Sequence, residues 1–402
     1  MESPLRTQFF SFLAQTSPEP MGLEIEHAKG SVLFDKKGKA YIDMISGISV
    51  SNLGHGNSEV LNAVTAQLQK GMHFMVYGEF IQSAQVELAT ALLNCLPKNL
   101  ESVYFVNSGS EAVEGAMKLA KRSTGRTKIL SFENGYHGST QGALSLMGNE
   151  MLKAPFRPLL PGVGFLRFNH LEDLEIIDSD TACLVMEPIQ GEAGVISADP
   201  HFMIAARKKC GETGTLLVFD EAQTGFGRTG TFWAFEQYGV VPDILILAKA
   251  LGGGMPLGCF IASKVLMDTL SQNPPLGHIT TFGGHPVCCA AGLASLKVIL
   301  REDLKNNALK IGAQLEERLQ HPAIQAVRVS GALAAIEFKS ADLNKEIIRA
   351  CVEKGLLVDW FLFNDRSMRI APPLNMEKSL VEKACDIILE SLVQATARIG
   401  LH

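Results

Sequence analysis

Short apolar runs alternate with amphipathic stretches along the middle of this 402-residue chain. The apolar, β-rich runs predict strands at residues 102–106, 127–132, 182–187, 216–220, 244–247 and 259–262. Stretches with helical spacing lie between several of them, at residues 83–94, 111–122 and 200–213. Strands of this kind are buried on both faces, which favours a mainly parallel sheet covered by helices. The pattern therefore predicts an α/β fold.

The pattern changes near residue 293, where a long helical stretch runs to about residue 319. Strand-like segments follow at residues 323–339, 356–363 and 367–370, with helical segments at residues 345–354 and from about residue 376. This order predicts a smaller α+β unit. A hairpin candidate at residues 30–35 and 39–44 is expected to pack against it. We therefore expect an N-terminal segment (1–55) that packs with the small domain, a large domain (56–295) and a C-terminal small domain (296–402).

Composition narrows the possible partners. The net charge is −6 and basic residues do not cluster, which argues against nucleic acid and anionic membranes. No apolar run has transmembrane length, and the start of the chain predicts an amphipathic helix rather than a signal sequence. The eight cysteines lie mostly in apolar surroundings without a C-x-x-C pair, which favours a reducing compartment and a cytoplasmic location. No metal-binding pattern is present in the sequence.

Lys249 is the most unusual residue, because it closes an apolar run. Burying an ammonium group is costly, so such a lysine is driven toward the neutral amine that forms a Schiff base with an aldehyde. Asp220 ends another apolar run, 29 residues earlier. An aspartate in that position can hold the pyridinium nitrogen of pyridoxal phosphate. The two residues together predict pyridoxal phosphate as the cofactor.

Other polar residues follow predicted strands, where open α/β sheets bind their ligands. Ser108, Gly109 and Ser110 precede a helix with capping-box spacing to Glu111, and a helix start of this kind suits a phosphate group. An ordinary capped helix is the alternative. Tyr136 lies beside glycines and can stack on a cofactor ring or serve in the core. For its neighbour His137 we expect no more than a supporting role.

In order and spacing these motifs resemble the fold-type I, class III aminotransferases that use pyridoxal phosphate, a family that includes ornithine, acetylornithine and 4-aminobutyrate aminotransferases. The resemblance covers nearly the whole chain, from residues 41–48 and 52–55 to residues 368–374. It implies a large domain with a mainly parallel seven-stranded sheet and a smaller α+β domain built from both ends of the chain. It also implies a homodimer.

The resemblance assigns roles at the cofactor. Lys249 matches the lysine that binds the cofactor covalently and then moves the proton, and Asp220 matches the partner of the ring nitrogen. Thr281 matches a threonine that reaches the phosphate of the neighbouring subunit. The remaining predicted cofactor contacts are Ser108, Gly109 and Ser110 at the phosphate, Tyr136 and Ala222 on the two ring faces, and Gln223 near the ring hydroxyl. Glu187, which ends another predicted strand, is also expected at the cofactor.

Among the residues that would bind the substrate, Arg369 matches the arginine that binds a carboxylate. The alternative is that Arg369 is an ordinary surface arginine before the Pro-Pro turn. Glu192 matches the glutamate that pairs with an active-site arginine in one half-reaction and releases it in the other. Tyr77, in a segment resembling the substrate-lining stretch, is a further candidate. Two positions depart from the family: Ser139 replaces an arginine that contacts a substrate carboxylate, and His285 replaces an asparagine.

The implied activity is transamination between an ω-amino donor, ornithine- or acetylornithine-like, and a 2-oxo acid, 2-oxoglutarate. Because acetylornithine and 4-aminobutyrate enzymes carry an arginine where this chain has Ser139, the donor need not be either of these compounds. A 4-aminobutyrate or diamine transaminase is an alternative. Aminomutase, racemase and decarboxylase reactions on the same fold are the second hypothesis. A protein that binds the cofactor without catalysis is the third, and the presence of both Lys249 and Asp220 argues against it.

Overall fold

The computed structural model of the chain describes residues 3–399. Its α-helices are α1 (Pro4–Phe12), α2 (Ser46–Ser49), α3 (Ser58–Lys70), α4 (Ser83–Leu93), α5 (Gly109–Thr124), α6 (Gln141–Ser145), α7 (Glu150–Lys153), α8 (Pro200–Thr213), α9 (Lys264–Asp268), α10 (Pro286–Arg301), α11 (Leu304–Arg318), α12 (Ala341–Glu353) and α13 (Lys378–Ile399). None of the helices in this described range is long and apolar enough to cross a membrane.

The strands form one large and three small sheets. They are β1 (Ile25–Lys29), β2 (Val32–Asp35), β3 (Ala40–Asp43), β4 (Ser102–Val106), β5 (Lys128–Phe132), β6 (Val163–Leu166), β7 (Thr181–Met186), β8 (Ile189–Gln190), β9 (Ile196–Ser197), β10 (Leu216–Asp220), β11 (Ile244–Leu247), β12 (Gly258–Ala262), β13 (Ile324–Ser330), β14 (Leu333–Phe338), β15 (Leu356–Leu357), β16 (Asp359–Phe361) and β17 (Asn364–Ile370).

The large sheet has seven strands in the order β4-β12-β11-β10-β7-β5-β6. Strand β12 is antiparallel to both of its neighbours, and the other pairs are parallel, so six strands run in one direction. The expected α/β fold with a mainly parallel seven-stranded sheet is confirmed. Strand β6 is the one that the apolar pattern did not single out, because its four residues include a glycine.

Both faces of this sheet are covered, as its apolar strands require. In β11, Ile244 and Ile246 pack into the cluster beneath α5, whereas Leu245 and Leu247 pack into the main core on the other face. Successive side chains of a strand point to opposite faces, so a strand that is apolar throughout needs a layer on each side. Fully burying a leucine or isoleucine stabilises the fold by about 2 kcal/mol.

The two ends of the chain meet in the smaller sheets. Strand β15 pairs in parallel with β3, so Leu356 lies opposite Ile42, and the order of this sheet is β1-β2-β3-β15. The second small sheet has the order β13-β14-β17-β16. The helical stretch expected at residues 293–319 is two helices, because Asp303 adopts a left-handed conformation with φ 50° between α10 and α11. The domain boundaries at residues 55 and 295 stay a prediction.

A buried arginine ties these regions together. Arg228 lies in the loop after β10 and is fully buried. Its guanidinium donates to the carbonyls of Ala332 (3.0 Å) and Pro372 (2.6 Å) and to Oδ1 of Asn52 (2.6 Å). Burial lowers the pKa of Arg228 to about 9, which leaves the group charged at neutral pH. The contacts hold β17 and the N-terminal segment against the end of the large sheet.

Candidate active site

A cavity of about 520 Å³ lies at the carboxyl edge of the large sheet. The strands that run in one direction end there, so the loops after them form its walls. Nine of the ten residues that were predicted at the cofactor line this cavity: Ser108, Gly109, Ser110, Tyr136, Glu187, Asp220, Ala222, Gln223 and Lys249. The structure thus brings together residues spread over more than a hundred positions of sequence.

Lys249 lies two residues after β11, where a short 3₁₀ turn begins. Its φ of 51° is left-handed, a conformation that costs a non-glycine residue about 1–3 kcal/mol. Burial lowers the pKa of Lys249, and the charge of Arg369 lowers it further, while the carboxylates of Glu192, Asp220 and Glu187 oppose the shift. A lysine with a left-handed backbone and a lowered pKa therefore lines the cavity.

Asp220 is buried at the end of β10, and both of its oxygens have partners. Oδ1 accepts a hydrogen bond from the backbone N–H of Ala222 at 3.0 Å. Oδ2 lies 2.8 Å from Nδ1 of His137. Burial lowers the pKa of His137, but the hydrogen bond to Asp220 and the charges of Asp220 and Glu187 outweigh it, so the pKa is raised above its ordinary value. His137 therefore fixes the position of the Asp220 carboxyl group.

Glu187 follows β7 and ties two loops together. Its carboxylate accepts hydrogen bonds from the backbone N–H groups of Tyr136 and Gly191, each at 3.2 Å. Burial raises the pKa of Glu187 to about 7, against the opposing effects of the His137 charge and these backbone donors. Four of these residues come from the ends of β5, β7, β10 and β11 or from the loops that follow them. We call them the strand-end cluster: Lys249, Asp220, His137 and Glu187.

The opposite end of the cavity suits a phosphate. Helix α5 begins at Gly109, and Oγ of Ser108 caps it by accepting from the N–H of Glu111 at 3.1 Å. The first N–H groups of a helix have no partner within it and attract anions. A Cβ on Gly109 would lie 3.2 Å from Cβ of Ala248, and one on Gly138 would overlap Oγ of Ser110. The two glycines therefore keep this space open.

A buried side chain without a partner supports the fit to pyridoxal phosphate. Within the described residues, Nε2 of Gln223 is buried and has no hydrogen-bond acceptor, although the residue lines the cavity. Leaving such a donor unpaired costs about 1–3 kcal/mol. An oxygen on a bound ring would satisfy it. The cofactor has a matching group for each feature of the cavity. Its phosphate fits the start of α5, its aldehyde fits Lys249, and its ring hydroxyl fits the amide of Gln223.

A second group of charges, the arginine cluster, consists of Arg369, Glu192 and Asp359. Nη2 of Arg369 donates to Oε2 of Glu192 at 2.8 Å, and the two side chains are only 2% and 6% exposed. Nε of Arg369 lies 3.3 Å from Oδ1 of Asp359. The carbonyl of Trp360 accepts from Nη2 at 2.9 Å, and the ring of Phe361 lies 4.7 Å from Cζ. The alternative of a surface arginine is wrong.

Tyr77 and Thr281 do not line the cavity of their own chain. The hydroxyl of Tyr77 donates to the carbonyl of Val103 at 3.2 Å, and its ring packs on Tyr104. Thr281 is exposed. Large exposed apolar side chains surround these two residues: Met72, Phe74, Met75, Val76, Phe80, Ile81, Ile279 and Phe282. Contiguous apolar surface of this kind marks a site of association.

Sequence reasoning missed two members of these clusters. His137 was expected only to support its neighbours, and no spacing indicates that it reaches Asp220, 83 positions away. Asp359 was not singled out at all. A hairpin across residues 356–370 would have been the signal, because Asp359 and Arg369 are directly opposed in the antiparallel pair of β16 and β17.

Comparison with known proteins agrees with this geometry. The family described as aminotransferase class-III matches residues 13–392. An acetylornithine aminotransferase of Archaeoglobus fulgidus is 40% identical over 366 residues, which cover 91% of this chain and 94% of the relative. A putrescine aminotransferase of Pectobacterium atrosepticum is 37% identical over 380 residues, 89% of this chain and 80% of the relative.

Solved structures show the same architecture. An ornithine aminotransferase from Toxoplasma gondii, whose active site holds pyridoxal phosphate at partial occupancy, superposes with a TM-score of 0.91 at 28% identity, covering 98% of this chain and 94% of the other. A transaminase from a marine Virgibacillus gives a TM-score of 0.92 at 26% identity, covering 98% and 99%. Family, fold and cavity agree: this chain belongs to the class III aminotransferases, and it is an enzyme that uses pyridoxal phosphate.

Proposed function

We propose that this aminotransferase moves an amino group from an ω-amino donor, ornithine- or acetylornithine-like, to 2-oxoglutarate. The observation that carries the proposal is the buried pair of Arg369 and Glu192 near Lys249. An arginine that binds a carboxylate, and a glutamate that can take the place of that carboxylate, let one site accept an ω-amine and then a dicarboxylate. The similarity to relatives named for acetylornithine and putrescine supports a terminal amine as the donor group.

The cofactor would be held from both ends of the cavity. Pyridoxal phosphate, when bound, supplies the aldehyde carbon that joins the amine and a ring that accepts electrons from the substrate carbon. The residues that would hold it are Ser108, Gly109 and Ser110 at the phosphate, Tyr136 and Ala222 on the ring faces, Gln223 at the hydroxyl and Asp220 at the ring nitrogen. Glu187 would orient Tyr136 through its backbone N–H.

Lys249 would take the proton from the substrate carbon and return it at the neighbouring position. An amine can do this only while it is neutral, and burial lowers the pKa of Lys249 in that direction. Lys249 lines the cavity in which the substrate would bind. Asp220 would lie at the ring nitrogen, and His137, 2.8 Å from its Oδ2, would hold the carboxyl group in that position.

Arg369 and Glu192 would distinguish substrates with a carboxylate at this position from those without one. With a donor that has no carboxylate at this position, Glu192 stays on Nη2 of Arg369. With a carboxylate substrate, the guanidinium turns its fork to the substrate and Glu192 moves away. A planar guanidinium binds a carboxylate with two parallel hydrogen bonds, which fixes the substrate relative to Lys249.

We also propose a cytoplasmic homodimer. Thr281 is exposed outside the cavity of its own chain, among the apolar side chains of residues 72–81 and 279–282, so a second copy placed there would bring this threonine to its neighbour's phosphate. Burial of that apolar surface would hold the dimer together. The cysteines in core positions support a reducing compartment.

A panel of amines offered with 2-oxoglutarate tests the donor class, with glutamate formation as the readout. Ornithine, N-acetylornithine, 4-aminobutyrate and putrescine form the panel, and an α-amino acid without a terminal amine serves as the control. We expect glutamate with at least one ω-amine and little with the control. A preference for the control amino acid would contradict the proposal.

A further inference from the structure

The loop of residues 280–284, which we call the threonine loop, leads toward α10 and carries Thr281. The side chain of Thr281 is exposed, yet the loop around it packs on the large sheet. A Cβ on Gly283 would lie 2.5 Å from the carbonyl oxygen of Phe105, which is closer than real Cβ atoms come. The backbone of the loop therefore lies directly against the end of β4.

Thr280, directly before Thr281, is half-buried and accepts hydrogen bonds from three donors. Its Oγ1 accepts from the backbone N–H of Gly283 at 3.1 Å and from Nδ2 of Asn107 at 3.4 Å. Its carbonyl accepts from the backbone N–H of Tyr77 at 3.2 Å. The three donors come from different parts of the chain, and together they fix the backbone that leads into Thr281.

Asn107 connects this loop to the phosphate end of the cavity. It follows β4 directly and lines the cavity. Its backbone N–H and its Nδ2 both donate to Oε2 of Glu111 at 2.9 Å. An amide nitrogen carries two hydrogens, so Nδ2 can serve Glu111 and Thr280 together. Ser108 and Ser110, the residues expected at the phosphate, come next in sequence. One turn thus forms the phosphate end of its own cavity and also supports the threonine loop.

We propose that Thr280 and Asn107 are positioning residues for the neighbouring subunit. Their hydrogen bond lets the turn at the phosphate end of one protomer's cavity hold Thr281 at the phosphate of the other protomer's cofactor. The inference rests on the proposed homodimer, in which Thr281 reaches its neighbour. Thr280 does not line the cavity of its own chain, and it acts through Thr281.

The physical reason is the entropy of ordering a loop. A threonine on a free loop has to be ordered when it binds a phosphate, and that cost lowers the affinity. The contacts of Thr280 order the loop before the phosphate arrives. Removing its hydroxyl also leaves the N–H of Gly283 without an acceptor. Without this hydroxyl we expect the affinity for pyridoxal phosphate to fall about five- to tenfold.

A mixed dimer separates effects across the interface from effects within one chain. One protomer carries Lys249→Ala and is silent, the other keeps Lys249, and two different affinity tags isolate the mixed dimer after co-expression. Pyridoxal phosphate is then titrated into this dimer after its cofactor has been removed. The absorbance of the cofactor joined covalently to Lys249 is the readout, so only the native protomer gives a signal and no turnover is needed.

The placement of each substitution decides the outcome. Thr280→Val in the silent protomer should lower the affinity at the native site about five- to tenfold, and Asn107→Ala there should lower it about threefold. Thr280→Val in the native protomer should change the signal by less than about twofold, because that loop serves the silent site. Thr280→Ser keeps the hydroxyl and should match the unsubstituted mixed dimer in either placement.

Three results would overturn the proposal. One is an unchanged affinity with Thr280→Val in the silent protomer, and another is an equal loss from both placements of that substitution. The third is a loss with Thr280→Val in the native protomer alone, which would mean that Thr280 serves its own site. An unchanged affinity with Asn107→Ala in the silent protomer would overturn the role of Asn107.

Thr281→Ala tells failure of this inference from failure of the proposed dimer. In the silent protomer it should lower the affinity at the native site about tenfold, and adding Thr280→Val should lower it no further. Additive losses would mean that Thr280 does not act through Thr281. If Thr281→Ala lowers the affinity and Thr280→Val does not, only this inference is wrong. If Thr281→Ala has no effect, or no mixed dimer forms, the proposed homodimer site fails first.

Discussion

The strand-end cluster and the arginine cluster hold similar charged groups in different ways. The first is supplied by the ends of neighbouring strands and their loops in one sheet, and its members are fixed by backbone geometry, such as the left-handed φ at Lys249. The second joins Glu192 of the large-sheet region to a hairpin more than 160 positions later. Chemistry common to all donors thus lies on a rigid sheet, and substrate choice lies where two regions meet.

This contrast predicts that substitutions in the first cluster reduce the rate for every donor, whereas those in the second weaken the binding of the carboxylate acceptor and spare the donor half-reaction. The largest effect is expected for Lys249→Ala, because no other amine replaces the proton carrier at this point. Turnover should fall by about 10⁵-fold or more with both ornithine and putrescine. Steady-state glutamate formation measures it, with Lys264→Ala on exposed helix α9 as the matched control. Residual turnover within tenfold of wild type would remove Lys249 from the mechanism.

Asp220→Asn should lower kcat by about 10³-fold, again equally for both donors, because a neutral amide does not keep the ring nitrogen protonated. The circular dichroism spectrum and the cofactor content should stay near those of wild type. An unchanged kcat would mean that the ring nitrogen has another partner. A loss of kcat with ornithine alone would mean that Asp220 affects substrate choice and not the step common to all donors.

Arg369→Gln should lower kcat/KM for 2-oxoglutarate by about 100-fold and leave kcat/KM for the ω-amine donors within about threefold, because the acceptor binds this guanidinium through its carboxylate while the donor half-reaction leaves Glu192 on it. The substitution also leaves Glu192 and Asp359 without their cation. The free energy of unfolding should therefore fall by about 3 kcal/mol, as urea denaturation would show. Equal kinetic losses for the acceptor and the donors would mean that Arg369 serves both half-reactions.

The smallest effect concerns Glu187, whose pKa is raised to about 7 by burial. A carboxyl with a raised folded-state pKa is more easily protonated in the folded state, so stability falls as the pH rises from about 4.5 to about 7. Glu187→Gln replaces the ionisable carboxyl with a neutral amide, so this decrease in stability with rising pH no longer occurs. It should stabilise the protein by about 1–2 kcal/mol at pH 8 and by little at pH 5, measured by urea denaturation at both values. A difference independent of pH would mean that Glu187 stays charged throughout.

The sequence predicted the first cluster better than the second. Lys249 and Asp220 end apolar runs, and a charged residue in that position is visible without any knowledge of contacts. The same local signal located Glu187 and the helix start at Ser108. The contact of His137 with Asp220 depends on the packing of loops that are far apart in sequence, so no local pattern reveals it.

Asp359 was missed for a related reason. Its contact with Arg369 depends on the register of β16 against β17, which shifts between Trp360 and Phe361, and such an irregularity cannot be predicted from the alternation of apolar and polar residues alone. The pairing of Arg369 with Glu192 was inferred from the family resemblance, since their spacing of 177 positions carries no signal. Strands and their ends follow from local apolar patterns, while contacts between regions need the folded structure.

The central claim is that the enzyme works in two half-reactions, each with its own substrate. The most direct measurement mixes the holoenzyme with an accepted donor in the absence of any 2-oxo acid and counts the carbonyl product. An enzyme with two half-reactions should give about one equivalent of product per Lys249 site, then no more until 2-oxoglutarate is added. Continued conversion of the donor without an oxo acid, as a mutase, racemase or decarboxylase would give, would contradict it.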